Sequence, residues 1–412
     1  MKPVSRSAVV AVHDSPWHRC SGGITAAHGF KAAGIAAGLK ASGRPDLALV
    51  MAPDGAVCAG CFTTSCVRAA CVDLCSQRLE QSGGQARAVL INSGQANACT
   101  GDRGLVDSLR ITQVLADQLG CSEDLVLICS TGVIGVPIPM VTLLEGIEPL
   151  LTDLSAEGGS RAAAAILTTD LVDKQVALEA QLGERTVRIG GMAKGSGMIH
   201  PDMATMLAFL SCDAQVEPTA WQAMVRRAVD RSFNAITVDG DTSTNDTVLA
   251  FASGEALPDD QHGQLELGLT QAMQELACAI ARDGEGATCL IEVRVEGAVD
   301  EASALRIART ICSSSLVKTA VHGRDPNWGR IVAAAGRSGV RFDPEAVALW
   351  IGEHQLMASG QPLAFDRQAA SEVLRAKDVL IRLQLKEGLA ESSAWGCDLS
   401  DQYVRINADY TT

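Results

Sequence analysis

The sequence predicts a layered α/β sandwich built on mixed sheets, and three observations carry that expectation. Short apolar segments alternate with amphipathic ones along the chain, strand-like segments outnumber those of a simple doubly wound sheet, and several lie close enough to be joined as hairpins. At 412 residues, 47% hydrophobic and 20% charged, the chain can bury a sizeable core. Aromatics make up only 3% and glycines number 39, so that core is aliphatic and the backbone rich in tight turns.

The elements follow in order. "DLALVMAP", "RAVLINSG" and "DLVLICSTG" are apolar runs ending in turn residues, and read as strands. "GLVDSLRITQVLADQLG" spaces its apolar residues as a helix does and ends in glycine. Beyond Thr205, "TMLAFLSCDA" is a strand, "EPTAWQAMVRRAVDRSF" a helix, and "AITVDGDTSTNDTVLAFASG" a strand, a turn and a strand. A helix is expected from Leu265 to Arg282, followed by the strand "CLIEVRVEGAV" and the helix "EASALRIARTIC". "AVALWIGEHQL", "VLIRLQLKEG" and "YVRINADY" alternate as strands do. No fixed-period repeat or low-complexity linker interrupts the pattern. The most glycine-rich connection, "IGGMAKGSGM", is the natural place to divide the chain.

Composition excludes several classes. A net charge of −14 argues against nucleic acid or an anionic membrane as partner. No apolar run is long enough to span a bilayer. The first residues, "MKPVSRSAVVAVHDSPWHRCSGG", are broken by His13, Asp14 and Pro16 before a secretory core forms, so the expected compartment is the cytoplasm. Phosphate-loop, dinucleotide, zinc-protease and serine-elbow signatures are absent. "DGDTSTND" starts like a calcium loop with Asp239 and Asp241. Its sixth position is Thr244 and its twelfth Ala250, so it reads as a polar turn lining a site. Five of the fourteen cysteines, Cys58, Cys61, Cys66, Cys71 and Cys75, lie in "CAGCFTTSCVRAACVDLC". A metal or iron–sulfur site competes there with small buried hydrophobes on strands. The second reading is preferred, because the one Cys-x-x-Cys has no partner pair.

The segment "KGSGMIHPDMATMLAFLSCDA" sets Ala204 and Thr205 at the mouth of an apolar strand. A threonine hydroxyl needs a base, and at a chain N-terminus its own α-amine, titrating near ~8, can serve. An internal threonine reaches that state only if the bond before it breaks. Its hydroxyl attacks the preceding carbonyl, and water hydrolyses the resulting ester. The small Ala204 and the glycines upstream suit that attack. His200, five residues earlier, is a minor alternative base.

"GGMAKGSGMIHPDMATML" is similar to the self-cleavage segment of the bifunctional glutamate N-acetyltransferase/ornithine acetyltransferases of arginine biosynthesis. "GGITAAHGFKAAGIAAGLK", "INSGQANACTG", "ICSTGVIGVPIP", "ILTTD", "SFNAITVDGDTSTNDT", "DGEGAT", "VKTAVHGRDPNWGRIVAAAGRSG" and "YVRINADY" resemble further blocks of that family, in its order. The resemblance implies an N-terminal-nucleophile-like fold, the ornithine acetyltransferase fold, and cleavage between Ala204 and Thr205. The α chain would be residues 1–204 and the β chain 205–412, interleaved into one catalytic unit and assembled as an α2β2 heterotetramer. Thr205 would be the nucleophile, and Thr131 with Gly132 the oxyanion hole. Thr168 (with Thr169 as the alternative), Lys194, Thr205, Glu285, Asn407 and Thr412 would contact substrate. Lys194 suits a carboxylate and Glu285 an ammonium group.

The implied reaction moves acetyl from N2-acetylornithine to glutamate, with acetyl-CoA as a second donor in a bifunctional enzyme and no metal or organic cofactor. "HGRDPNWGR", His322 to Arg330, is either a shaped loop at the site or a salt-bridged structural turn. Thr411 stands where the family commonly has arginine, and "TTDLVDK" replaces a proline-bearing turn. Two rivals are a self-processing aminopeptidase or amidohydrolase with water as acceptor, and a non-catalytic metal or redox module on the cysteine cluster.

Overall fold

The computed structural model describes residues 15–200 and 206–409. Among these, a larger unit comprises 15–234 and 241–276, and a smaller one 235–240 and 277–409.

The larger unit runs β1 (Lys31–Ile35), β2 (Leu47–Met51), β3 (Val57–Phe62), α1 (Ala70–Gln81), β4 (Ala88–Gln95), α2 (Gly101–Leu119) and β5 (Val126–Val133). It continues through α3 (Gly159–Ala165), β6 (Lys174–Leu182), β7 (Arg185–Lys194), β8 (Leu207–Gln215), α4 (Pro218–Asp230) and β9 (Thr247–Ala256). Four strands form one sheet, β1-β2-β4-β5; the other adds a two-residue bridge, His18–Arg19, to β6-β7-β8-β9-β3. Both are mixed, because β4 and β5 pair in parallel, as do β8 and β9, while the remaining pairs are antiparallel.

The apolar runs read as strands are apolar on both faces, and the period of two explains why. Leu47, Leu49, Leu90 and Ile128 pack with Cys71, Leu74, Ile111 and Leu115 of α1 and α2. Their neighbours Ala48, Val50, Ile91 and Leu127 pack with Phe209, Leu249 and Phe251 of the other sheet. The far side of that sheet is covered by α4, whose Trp221 Nε1 donates to Ala250 O at 2.8 Å. The unit is therefore the expected layered sandwich: helices, sheet, sheet, helices. Each buried Leu or Ile contributes about 1.5–3 kcal/mol, so slipping a strand by one residue is costly. The helix α2 stops where the sequence expects, at Gly120 with φ +66°.

The helix α5 (His262–Arg282) belongs to the larger unit as far as Leu276; from Ala277 the smaller unit runs through β10 (Leu290–Ala298), α6 (Glu301–Cys312), α7 (Ser315–His322) and α8 (Trp328–Gly336). Then come β11 (Ala348–Ile351), β12 (His354–Ala358), β13 (Asp378–Gln384), β14 (Ala390–Cys397) and α9 (Asp401–Asp409). The seven-stranded sheet is ordered Ile236–Thr237, β14, β10, β13, β11, β12, Gln361–Pro362. Ile307, Ile311, Val317 and Ile331 of α6–α8 pack on its Ile291, Val293 and Ile381. Hairpins occur as expected, at β6–β7 and β11–β12.

Two expectations need correction. "YVRINADY" lies on the helix α9: Tyr403 and Ile406, three apart, are half-buried while Val404 is 66% exposed, so the operative period was helical. The strand, turn and strand expected in "AITVDGDTSTNDTVLAFASG" form, with Ile236–Thr237 pairing with β14 and β9 with β8 and β3. Their partners are remote in sequence. Among the clustered cysteines, Cys58 and Cys61 lie on β3, but Cys71 and Cys75 lie on α1; Cys66 is exposed and Cys61 half-buried. Among the described residues no helix is long and apolar enough to cross a membrane.

Candidate active site

The site grows from the ends of two parallel strands. The pairing of β4 and β5 sets Ser93 beside Thr131 and Gly94 beside Gly132. Both glycines have positive φ, +135° and +130°, and a Cβ on Gly132 would sit 2.3 Å from the Gly94 carbonyl carbon. Only glycine fits, and its absent side chain brings the two backbones together beside Thr131. Thr131 is 4% exposed. Its Oγ1 accepts a hydrogen bond from Lys194 Nζ at 3.4 Å. Lys194 ends β7, pairs with Leu207 at the start of β8, and is 2% exposed. It is not the solvated surface lysine that its residue type alone suggests.

A buried cation needs a counter-charge. Asp170, with no exposed side-chain surface, provides one: Lys174 Nζ donates to its Oδ1 at 2.7 Å, as does Gly195 N. Thr168 N donates to its Oδ2 at 3.0 Å. Burial opposes ionisation of this carboxyl. The Lys194 and Lys174 cations, with the hydrogen bonds, outweigh it and hold Asp170 well below the usual carboxylate range. One aspartate thus positions the backbones of two sequence-selected segments, at Thr168 and just after Lys194. Lys40 Nζ braces the same loop, donating to Leu167 O at 2.6 Å; burial lowers its pKa to about 8.

The polar segment after Gly240 supplies the other wall. Asn245 Nδ2 donates to Ala96 O at 2.6 Å and to Ser130 O at 2.8 Å, fixing the strand end that carries Thr131. Asp246 Oδ1 accepts from Met206 N at 2.8 Å, and Thr247 N donates to Met206 O at 3.2 Å. Burial pushes the Asp246 carboxyl well above its usual range, against the opposing pull of the Met206 N–H and the Lys194 cation. "DGDTSTND" therefore does line the site, through Asn245 and Asp246.

Of the residues selected from sequence, Thr131, Gly132, Thr168 and Lys194 gather in the larger unit, around the start of β8. Ala204, Thr205 and Thr412 lie outside the described residues. Both alternatives at 168 and 169 are half-buried, and the Thr169 hydroxyl pairs with Ser196 Oγ at 2.7 Å. His200 is half-buried. Glu285 and Asn407 meet in the smaller unit, where Asn407 Nδ2 donates to Glu285 Oε2 at 2.9 Å. "HGRDPNWGR" contains a salt-bridged turn. Asp325 pairs with Arg367 at 2.6 Å, Asn327 caps α8, and Arg330 donates to Leu316 O.

Sequence reasoning missed Lys40, Asp170, Lys174, Asn245 and Asp246. Asp170, Asn245 and Asp246 lie inside segments already singled out, "ILTTD" and "TSTNDT", and a charge within a small-residue block was the usable signal. Among the described residues, no group of three or more His, Cys, Asp or Glu side chains is placed to hold a metal ion. Cys58, Cys71 and Cys75 are packed into the two cores of the larger unit.

Comparison with known proteins identifies the family. The profile of the ArgJ family matches residues 31–412. An arginine biosynthesis bifunctional protein ArgJ from Parasynechococcus marenigrum is 73% identical over the whole of both chains. Its counterpart from Prochlorococcus marinus is 67% identical over 99% of this chain and 98% of that one. A crystal structure of ornithine acetyltransferase from Mycobacterium tuberculosis, complexed with ornithine, is 43% identical; it covers 45% of this chain and 98% of that chain at a TM-score of 0.42. With a family match over nearly its full length and full-length relatives this similar, the chain belongs to the ArgJ family.

Proposed function

We propose that this chain, an ArgJ-family acetyltransferase of arginine biosynthesis, moves acetyl from N2-acetylornithine to glutamate through an acetyl-threonine ester on Thr205. The observation that carries the reading is the convergence of Thr131, Gly132 and Lys194 at the start of β8, the strand that Thr205 precedes by two residues. Cleavage between Ala204 and Thr205 would fall in the connection from Lys194 to Leu207. It would leave the β7–β8 ladder intact, so chains 1–204 and 205–412 would stay interleaved.

The chemistry then follows from proton positions. The freed Thr205 amine takes the proton of its own hydroxyl as the oxygen attacks the acetyl carbonyl. Because Lys194 donates to Thr131 Oγ1, the Thr131 hydroxyl hydrogen is directed elsewhere and can donate to the oxyanion, together with the Gly132 N–H. Ornithine leaves as an amine with the returned proton. The glutamate amine then attacks the ester, releasing N-acetylglutamate and the free threonine. Thr168 and Lys194 would contact substrate in the larger unit, and the engagement of Thr169 by Ser196 favours Thr168 over it. The Lys194 cation suits the substrate carboxylate, and Glu285 with Asn407 the ammonium end; Thr412 is a further proposed contact.

These protein groups supply every proton transfer, so the scheme needs no metal or organic cofactor; acetyl-CoA is the proposed second donor. The proposed assembly is an α2β2 heterotetramer, in the cytoplasm.

Intact mass of wild type beside Thr205→Ala tests the nucleophile: two fragments are expected from the first and one inactive chain from the second. Ornithine release from N2-acetylornithine with and without glutamate tests the acceptor. Equal rates in the two mixtures mean that water is the acceptor, and the enzyme is then an amidohydrolase.

A further inference from the structure

Within the smaller unit, the loop between α5 and β10 carries Glu285 and is gripped from several sides. Ser400 Oγ donates to Gly286 O at 2.6 Å, and Asn407 of α9 reaches Glu285 itself. Gly286 has φ +72°, and a Cβ there would meet Tyr403 N at 2.5 Å, so the loop lies directly on the start of α9. The deepest hold is Asp398, which follows β14 and has no exposed side-chain surface. Its Oδ1 accepts from Thr288 N at 2.7 Å and Cys289 N at 3.1 Å, and its Oδ2 from Thr288 Oγ1 at 2.6 Å. The fourth partner comes from the "HGRDPNWGR" turn, which the acetyl-transfer scheme leaves unused. His322, at the end of α7, places Nδ1 2.7 Å from Asp398 Oδ2, with its side chain 38% exposed.

We infer that His322 and Asp398 form a positioning pair that sets the place of the Glu285 carboxylate, and thereby the affinity for the ammonium end of the amino-acid substrate. The inference rests on Glu285 meeting that ammonium group. Asp398 is a carboxylate: burial opposes its charge, but the hydrogen bonds from Thr288 and His322 hold its pKa below the usual range. His322 Nδ1–H therefore donates, and the bond joins the end of α7 to Asp398, 76 residues further on, which in turn holds the loop at Thr288 and Cys289. Losing it frees one acceptor of a buried charge and unties Asp398, and the loop it holds, from the end of α7. Displacements of about 1 Å in a substrate-holding group cost up to about a hundredfold in rate or affinity.

The test is steady-state kinetics on the full, processed enzyme with N2-acetylornithine. His322→Ala is expected to raise KM about tenfold with kcat within about twofold. His322→Asn, whose amide nitrogen can stand in for Nδ1, should restore a near-normal KM, and Thr288→Val should raise KM in the same direction by a smaller factor. Glu285→Gln should raise KM on its own, and adding His322→Ala to it should change little further. A normal KM in both His322→Ala and Thr288→Val, with Glu285→Gln impaired, overturns the positioning pair and leaves the role of Glu285 standing. A normal KM in Glu285→Gln removes that role and the inference with it. A loss confined to kcat in His322→Ala also overturns it. Thr288→Val and the Asn variant carry the test if the Ala variant does not fold.

Discussion

The two units hold their functional charges in opposite ways. In the larger unit, Asp170 and Lys174 have side chains 0% and 1% exposed, and Lys194 is buried beside them. In the smaller unit, Glu285 is half-buried and its partner Asn407 exposed. Charges shielded from water act on one another several times more strongly than the ~1 kcal/mol they would exchange in bulk solvent at contact distance. The first arrangement is therefore rigid and expensive to disturb: it fixes strand ends and aims hydrogen-bond donors. In the second the charge itself is screened by water although its loop is held from below by Asp398, and it suits recognition of a mobile substrate group. Substitutions in the first should cost folding before binding, and in the second binding before folding.

The comparison is tested most severely at Asp170. Asp170→Asn removes a carboxylate that pairs with buried Lys174 and offsets the charge of buried Lys194, and removing one partner from a buried charge pair typically costs about 3–5 kcal/mol. Urea unfolding should show a loss of that size, along with lost activity. Because the Asp170 carboxyl is held below its ordinary range, its contribution is present above the unfolded-state value near ~4 and fades as pH falls through the lower folded value. The gap between wild type and variant should thus be constant from pH 5 to 8, roughly, and shrink only in stronger acid. A variant as stable as wild type at neutral pH would remove the distinction between the units.

Asn245→Ala is the next step down. It strips hydrogen bonds from two carbonyls, Ala96 O and Ser130 O, at a buried side chain. About 1–3 kcal/mol of stability should go. The expected kinetic signature is a fall in kcat larger than any change in KM, because Ser130 precedes a proposed oxyanion donor. If KM rises while kcat holds, Asn245 serves binding rather than the strand end.

What was legible in sequence follows the same division. Apolar runs such as "DLALVMAP" read as strands because both faces are buried, so the period of two needed no polar partner to show itself. The mouth of β8 and the "STG" turn were legible through family blocks alone. The Asp170–Lys174–Lys194 network was not, since a charge announces its partner only when the fold brings it there. The helix α1 buries Cys71, Cys75 and Leu79 at four-residue spacing, a helical period that cysteines, equally at home on strands, do not advertise. In α9 the period itself misleads. Exposed Val404 was counted as core, which gave an apparent alternation where Tyr403 and Ile406 mark a helical face.

The smallest effect on folding is expected at Asn407. Its amide donates to Glu285 at 2.9 Å and to Tyr403 O at 3.0 Å from an exposed position on α9, where water can replace it. Asn407→Ala should therefore move the folding free energy by no more than about 0.5 kcal/mol. Its KM for N2-acetylornithine should still rise by roughly threefold, the share of one exposed hydrogen bond in aiming Glu285. Urea midpoints and KM measured on one preparation decide it. A variant that unfolds as readily as Asp170→Asn would mean that the α9 contacts bear structural load, and that the smaller unit is no more adjustable than the larger.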